Sequence, residues 1–168
     1  MNIQLESLFL TRYNPEKHLP LKQELETGES SSEFIHQIGE RLESSKDNDR
    51  SIYTSAFVVE DLGTPIGYLY ISSMVRDEVF LEYAVLKEER GKGYGSDIVR
   101  ETTDYLFKNH NIRSIRLDID PSNKNSINAA EACGYSVDEE EFASRNFTGR
   151  MQFVKDSEYY VSKRRGGK

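Results

Sequence analysis

Cysteine is almost missing from this chain. Cys133 is the only one, so no internal disulfide framework can form. The three histidines, His18, His36 and His110, are far apart and make no Cys/His cluster with ligand spacing; no metal site is expected. No apolar run approaches the length that spans a bilayer. The N-terminal Met1-Asn2-Ile3-Gln4-Leu5-Glu6 has no charged stretch followed by an apolar one. These gaps give the expectation of a soluble, cytoplasmic protein without a membrane partner. A basic excess is missing as well. The formal net charge is −7, whereas a duplex binder normally shows a basic face, so nucleic acid is not an expected partner. Net acidity favours a cationic partner by steering, and it also serves plain solubility. Internal repeats and dividing linkers are absent too. A chain of 168 residues fits one domain, large enough for a core without staples. The expected domain runs over residues 1–160, followed by a short basic tail at 161–168 expected to be disordered. The oligomeric expectation is a monomer or a homodimer.

What is present is a series of patterned segments. Residues 3–13 alternate as a strand does, and end at Asn14-Pro15. Lys17 to Glu26 is helical, closed by Gly28. Ser30-Ser31-Ser32-Glu33 is a helix-start signal, after which Phe34, Ile35, Ile38 and Leu42 recur at helical spacing. Ile52 to Val59 and Ile66 to Met74 are β-rich, joined by the turn residues Glu60 to Pro65. Val79 to Leu86 is a further strand. Tyr94 to Asn109 has helical period, with Ile98, Thr102, Tyr105 and Leu106 on one face. Ile115, Leu117 and Ile119 alternate again. Ser126 to Cys133 is a short helix with Gly134 beyond it. Tyr135 to Glu141 and Met151 to Val154 are the last two expected strands. The fold class is therefore one α+β domain: a mixed, mostly antiparallel sheet with one central parallel pair, flanked by helices.

The chemistry concentrates between Val79 and Asp120, a strand, a tight loop, a helix and a strand. A crossover of that kind makes the two strands parallel. Its loop is Arg90-Gly91-Lys92-Gly93-Tyr94-Gly95. Glycines admit positive φ and let backbone come close to a ligand. Successive N–H groups at a helix start lie at the positive end of its dipole and suit a pyrophosphate. Arg90 and Lys92 add charge. Gly-x-x-x-x-Gly-Lys-Ser/Thr is not present, and Gly91-x-Gly93-x-Gly95 does not match the Gly-x-Gly-x-x-Gly of dinucleotide folds.

The stretch Leu81 to Gly95 resembles the central acetyl-CoA motif of the GNAT superfamily of N-acetyltransferases, Gln/Arg-x-x-Gly-x-Gly/Ala after a strand ending in an Ala-Val-like pair. Arg90, Gly93 and Gly95 fill its three positions. A second motif follows in order: Leu117-Asp118-Ile119-Asp120-Pro121-Ser122-Asn123, a helix, then Cys133-Gly134-Tyr135. The resemblance covers roughly residues 79–135. In motif style it is closest to the branch that acetylates ribosomal-protein N-termini, because Asn123 and Ser126 are present and the usual tyrosine position holds Ala130.

The resemblance implies acetyl transfer from acetyl-CoA, as cosubstrate and without a metal, to a primary amine of a small molecule or a protein N-terminus. The two parallel strands would splay, and the pantetheine arm would pair with backbone around Ala84, Val85 and Leu86. Arg90, Gly91, Lys92, Gly93, Tyr94, Gly95 and Ser96 would hold the pyrophosphate. Asn123 and Ser126 would support the cofactor or the splayed strand, although Asn123 also reads as a plain helix cap. A backbone N–H near Val85 would serve the oxyanion. Two carboxylates qualify as base: Asp118, at the end of its strand beside the splay, and Glu82, in an otherwise apolar strand. Each also has a plain structural reading, Asp118 on a solvated polar face and Glu82 in an ion pair. The strand-end position favours Asp118. Residues Pro20 to Asp49 would shape the acceptor pocket. The rival functions are a CoA-binding sensor or interaction module without turnover, and a nucleotide-binding module.

Overall fold

The computed structural model describes residues 2–27, 33–75, 77–139 and 150–158; the tail at 161–168 lies outside them. Among the described residues the strands are β1 (Ile3–Gln4), β2 (Phe9–Thr11), β3 (Ser55–Asp61), β4 (Thr64–Val75), β5 (Glu78–Val85), β6 (Ser114–Ile119), β7 (Ser136–Val137) and β8 (Met151–Asp156). The helices are α1 (Pro15–Thr27), α2 (Glu33–Ser45), α3 (Tyr94–Asn109) and α4 (Lys124–Ala132), with a single 3-10 turn at Lys87–Glu89. All eight strands form one sheet in the order β1-β2-β3-β4-β5-β6-β8-β7. Every pairing is antiparallel except β5 with β6, which are joined through α3. The expected fold class, a mixed and mostly antiparallel sheet with a central parallel pair, is the one observed.

Period-2 alternation sends side chains of each central strand to opposite faces, and each face has its own core. On one face Phe57, Val59, Leu69, Ile71, Leu81 and Leu117 meet Ile98, Val99 and Leu106 of α3 and Ala130 of α4. On the other, Ala56, Val58 and Tyr68 meet Leu21 and Leu25 of α1 and Ile38 and Leu42 of α2. The helix face expected from Ile98, Thr102 and Leu106 is buried, while Tyr105 is half-exposed.

Several boundaries differ from the sequence expectation, each for a local reason. Residues 3–13 are not one strand but the hairpin β1–β2, because the carboxylate of Glu101 on α3 reaches over and accepts from the N–H of Ser7, the hydroxyl of Ser7 (2.7 Å) and the N–H of Leu8 (3.1 Å). Glu60 is not a turn residue. It is a buried member of β3 beside Lys17 (2.7 Å) and His18 (3.6 Å) of α1. The turn is instead made by Leu62 and Gly63, both at positive φ (49° and 83°). Ile52 is buried but precedes its strand, which starts after Thr54 at φ 54°. The strand expected over Tyr135 to Glu141 is short, Ser136–Val137, and residues 140 and 141 lie outside the described set.

Candidate active site

The parallel pair opens at its C-terminal end. β5 and β6 are paired from Glu78↔Ser114 to Leu81↔Leu117 and no further. Beyond that point β5 stays on β4, with Glu82↔Tyr70 and Ala84↔Tyr68. β6 stays on β8, with Asp118↔Gln152 and Ile119↔Met151. A gap between two strands held by different outer neighbours leaves backbone groups of both inner edges unpaired. The register says which. The N–H of Leu86 donates to the carbonyl of Ile66 (2.9 Å), so alternation turns the backbone of Ala84 and Leu86 to β4 and that of Tyr83 and Val85 into the gap.

The glycine loop closes one end of this gap. Gly91 and Gly93 both have positive φ (80° and 86°), conformations a side chain adopts only at a cost. Gly93 is the N-cap of α3, and the first helical bond is from the N–H of Asp97 to its carbonyl (3.1 Å). The N–H groups of Gly95 and Ser96 in the first turn therefore have no intrahelical partner, at the positive end of a 16-residue helix. Tyr94 is tied down by its hydroxyl, which donates to Asp61 (2.6 Å) and is pushed up to about 12, first by that bond and then by burial. A Cβ built on Gly95 would touch the ring of Tyr83 at 3.4 Å.

One cleft of about 820 Å³ takes in most of the sequence-predicted residues: Glu82, Ala84, Val85, Arg90, Gly91, Gly93, Tyr94, Gly95, Ser96, Asp118, Asn123 and Ser126. Leu86 and Lys92 do not line it. The ammonium of Lys92 is paired with Glu89 (2.9 Å), and the Nε of Arg90 donates to the carbonyl of Val85 (3.3 Å). Asn123 is the N-cap of α4, its Oδ1 accepting from the N–H of Ser126 (3.2 Å).

The two carboxylates lie in different surroundings. Glu82 points to the α2 side, where it pairs with Arg41 and lies 3.4 Å from the hydroxyl of Tyr68. Arg41 is also stacked over the ring of Tyr70, 4.0 Å from its centroid. Burial raises the Glu82 carboxyl above its ordinary value, against the opposing pull of Arg41. Asp118 is exposed at the rim, with Arg150 beside it (Nε to Oδ2, 3.2 Å) and donating to its carbonyl (2.8 Å). Sequence reasoning missed Arg41, Tyr68, Tyr83 and Arg150. Arg41, Tyr83 and Arg150 meet partners on elements distant in the chain, and Tyr68 reaches Glu82 from the neighbouring strand β4. Only Tyr83, inside the motif itself, carried a signal: alternation puts it on the opposite face from Glu82.

Comparison with known proteins agrees with this fold. A family model described as an acetyltransferase (GNAT) domain matches residues 5–136. No curated protein matches the chain in sequence. Among solved structures, a GNAT-family acetyltransferase from Bacillus anthracis is 13% identical, with 94% of this chain and 99% of that one covered and a TM-score of 0.73. A ribosomal alpha-N-protein acetyltransferase, RimL, in complex with coenzyme A is 10% identical, covering 95% and 99%, with a TM-score of 0.71. A spermidine N-acetyltransferase from Vibrio cholerae, in complex with CoA and spermine, is 15% identical, covering 92% and 98%, with a TM-score of 0.66. At these identities the likeness is one of fold.

Proposed function

This chain belongs to the GNAT acetyltransferase family, and from that premise we propose that it moves an acetyl group from acetyl-CoA to a primary amine by direct transfer. The observation that carries the reading is the juxtaposition of three things in one cleft: the unpaired edge of β5, the left-handed N-cap of α3, and two carboxylates flanking the gap. An extended arm can add to the free strand edge at Tyr83 and Val85. A pyrophosphate suits the orphan N–H groups beyond Gly93. No further cofactor and no metal enters the proposal; among the described residues no cluster of His, Cys, Asp and Glu could hold one.

The acceptor amine must lose a proton, and the acetyl oxygen needs a donor. The N–H of Val85, on the gap side of β5, is the proposed donor. Glu82 is the proposed base, with Asp118 the second candidate. This reverses the order that strand position alone suggests, because a base works best with its pKa near the operating pH and burial moves Glu82 in that direction.

The test is free-thiol release from acetyl-CoA against a panel of acceptors. Two arms come from the solved neighbours: polyamines, and peptides with a free N-terminus. Amino acids and aminoglycosides complete the panel. The expected result is thiol release with at least one primary amine, slowed by added salt if the acceptor is a cation. CoA binding with no release across the panel would favour the CoA-binding module without turnover. Heat protection by ATP and not by CoA would favour a nucleotide-binding module.

A further inference from the structure

A carboxylate base must be ionised before the amine arrives, with one oxygen left open and aimed at it. Glu82 lies just past the last parallel pair, Leu81↔Leu117, so its backbone keeps a strand neighbour on the β4 side only. Its side chain is half-buried and lines the cleft. A carboxyl left alone in such a place favours its protonated form.

Helix α2 supplies what the sheet does not. Nη1 of Arg41 donates to Oε2 of Glu82. The hydroxyl of Tyr68, on β4, lies 3.4 Å from that same oxygen and 3.4 Å from Nη1. Both contacts fall on Oε2, so Oε1 is the oxygen left for the cleft. Arg41 is itself held. Its Nη2 donates to Gln37, one turn back on α2 (2.9 Å). Its guanidinium stacks over Tyr70, the residue directly opposite Glu82 in the β4–β5 register. Ile38 and Leu42, on the same helix, are buried against the sheet and fix its roll. A flat fork can stack, hold Gln37 and grip a carboxylate at once, which an ammonium cannot do.

We propose that Arg41 is the positioning residue of the acceptor side: it grips one oxygen of Glu82 from α2 and leaves the other, Oε1, facing the acceptor amine. The proposal rests on the reading of Glu82 as base above. As the C–N bond forms, the amine proton passes to Oε1, and it goes on to solvent when the product leaves. Arg41 stays on Oε2 throughout and touches no reacting atom. Its charge opposes the burial that raises the carboxyl. The other groups facing Glu82 do not replace it. Burial pushes the Tyr68 phenol up, so it stays neutral, and Tyr70 gives its ring to Arg41. Arg150, just before β8, pulls on Glu82 through space and is paired with Asp118 of β6. A mere fastening of α2 to the sheet would use the same bond but would leave the proton of Glu82 out of the reaction.

The experiment compares Arg41→Met, which keeps the stem and drops the charge, with Arg41→Lys, which keeps the charge and drops the fork. Two titrations are read on each and on the wild type. One is the acid limb of kcat with acetyl-CoA and the best amine of the panel. The other is the Glu82 carboxyl itself, by NMR of isotope-labelled glutamate assigned with Glu82→Gln. In Arg41→Met both should move up together by about one pH unit. The plateau kcat should fall about tenfold, with KM for acetyl-CoA unchanged. Arg41→Lys should bring both titrations most of the way back while kcat stays low. If neither titration moves in Arg41→Met, the role of Arg41 is overturned and Glu82 survives as base. If the carboxyl moves and the limb does not, the base reading falls and the role of Arg41 with it. An equal loss of kcat in both variants with a fixed limb also overturns the proposal, since that is the mark of a fastener. A protein that turns over no amine loses the base and its positioning residue together, whatever the NMR reads. Arg41→Gln, which keeps a donor without the charge, carries the same two readings if Arg41→Met does not fold.

Discussion

Two glycines make a matched pair for testing the cofactor loop. Gly93 and Gly63 have nearly the same φ (86° and 83°), and a Cβ built on either meets nothing within 4 Å. Gly93 lines the cleft and caps α3, whereas Gly63 sits in the β3–β4 turn and does not line it. Alanine in a left-handed conformation costs about 1–2 kcal/mol. Loss of unfolded-chain entropy offsets about 0.4–1 kcal/mol of that. Both Gly93→Ala and Gly63→Ala should therefore lower the stability of the free protein by about 1 kcal/mol, or about 2–4 °C in Tm for a domain of this size. With CoA the two should part. At a hundred times Kd the wild type gains about 2.7 kcal/mol, roughly 5–11 °C. Gly63→Ala should keep that gain. In Gly93→Ala the methyl stands where a pyrophosphate would approach the orphan N–H groups. If affinity drops a hundredfold, the gain at the same concentration falls to about 0.4 kcal/mol. The assay is a thermal melt of the three proteins with and without CoA. An equal CoA shift in Gly93→Ala and Gly63→Ala would falsify the placement of the pyrophosphate at the cap of α3.

Three more outcomes are expected. Glu82→Gln should leave CoA affinity intact and lower kcat by roughly 10²-fold. A base must be ionised to act, so wild-type activity should fall as pH drops through a raised carboxyl pKa, above the ordinary value of about 4.3. The variant should lose that limb, and if Asp118→Asn loses it instead, the base is Asp118. Fold stability should decline as pH falls below about 6.5, the ordinary histidine value. Burial lowers the His18 pKa, with Glu60 opposing, so the unfolded chain takes up the proton first. The backbone N–H of Asn14 already donates to its Nδ1 (3.0 Å), which requires that nitrogen bare. In a urea series His18→Gln should flatten the slope between neutral and mildly acid pH, and an unchanged slope would exclude His18 as its source. Glu101→Ala should cost about 3 kcal/mol or more, because it leaves the N–H groups of Ser7 and Leu8 without their acceptor. A midpoint within about 0.5 kcal/mol of wild type at unchanged m would show that water replaces the carboxylate.

What could be read in the sequence was whatever is written locally. The turn glycines, the period of α3 and the alternation of β5 and β6 lie within a few residues of the structure they specify, and the cofactor loop is contiguous. The first hairpin was not legible, because its bend is stabilised by Glu101, 94 residues away from Ser7. The acceptor side was equally hidden. Arg41 lies one residue before a buried helix position, and nothing in that local pattern announces Glu82 across the sheet. Glu82 itself could be read as an oddity in an apolar strand, and the structure supplies both the ion pair and the burial that make it one.

The order of strands at the far side of the sheet has a consequence for how the molecule comes into being. β8, residues 151–156, lies between β6 and β7, yet among the described residues it is the last strand in chain order. During synthesis β6 waits with a bare flank until some thirty residues after its own end have been made. The rim carrying Asp118 gains its second neighbour only then. Such late, long-range pairing is slow and leaves a sticky intermediate. A fragment cut at residue 136, where the family match ends, would keep the glycine loop and lose the strand that braces one wall of the cleft. A nascent chain that cannot yet brace its wall should have no working cleft, so activity should arrive late and all at once rather than grow with length.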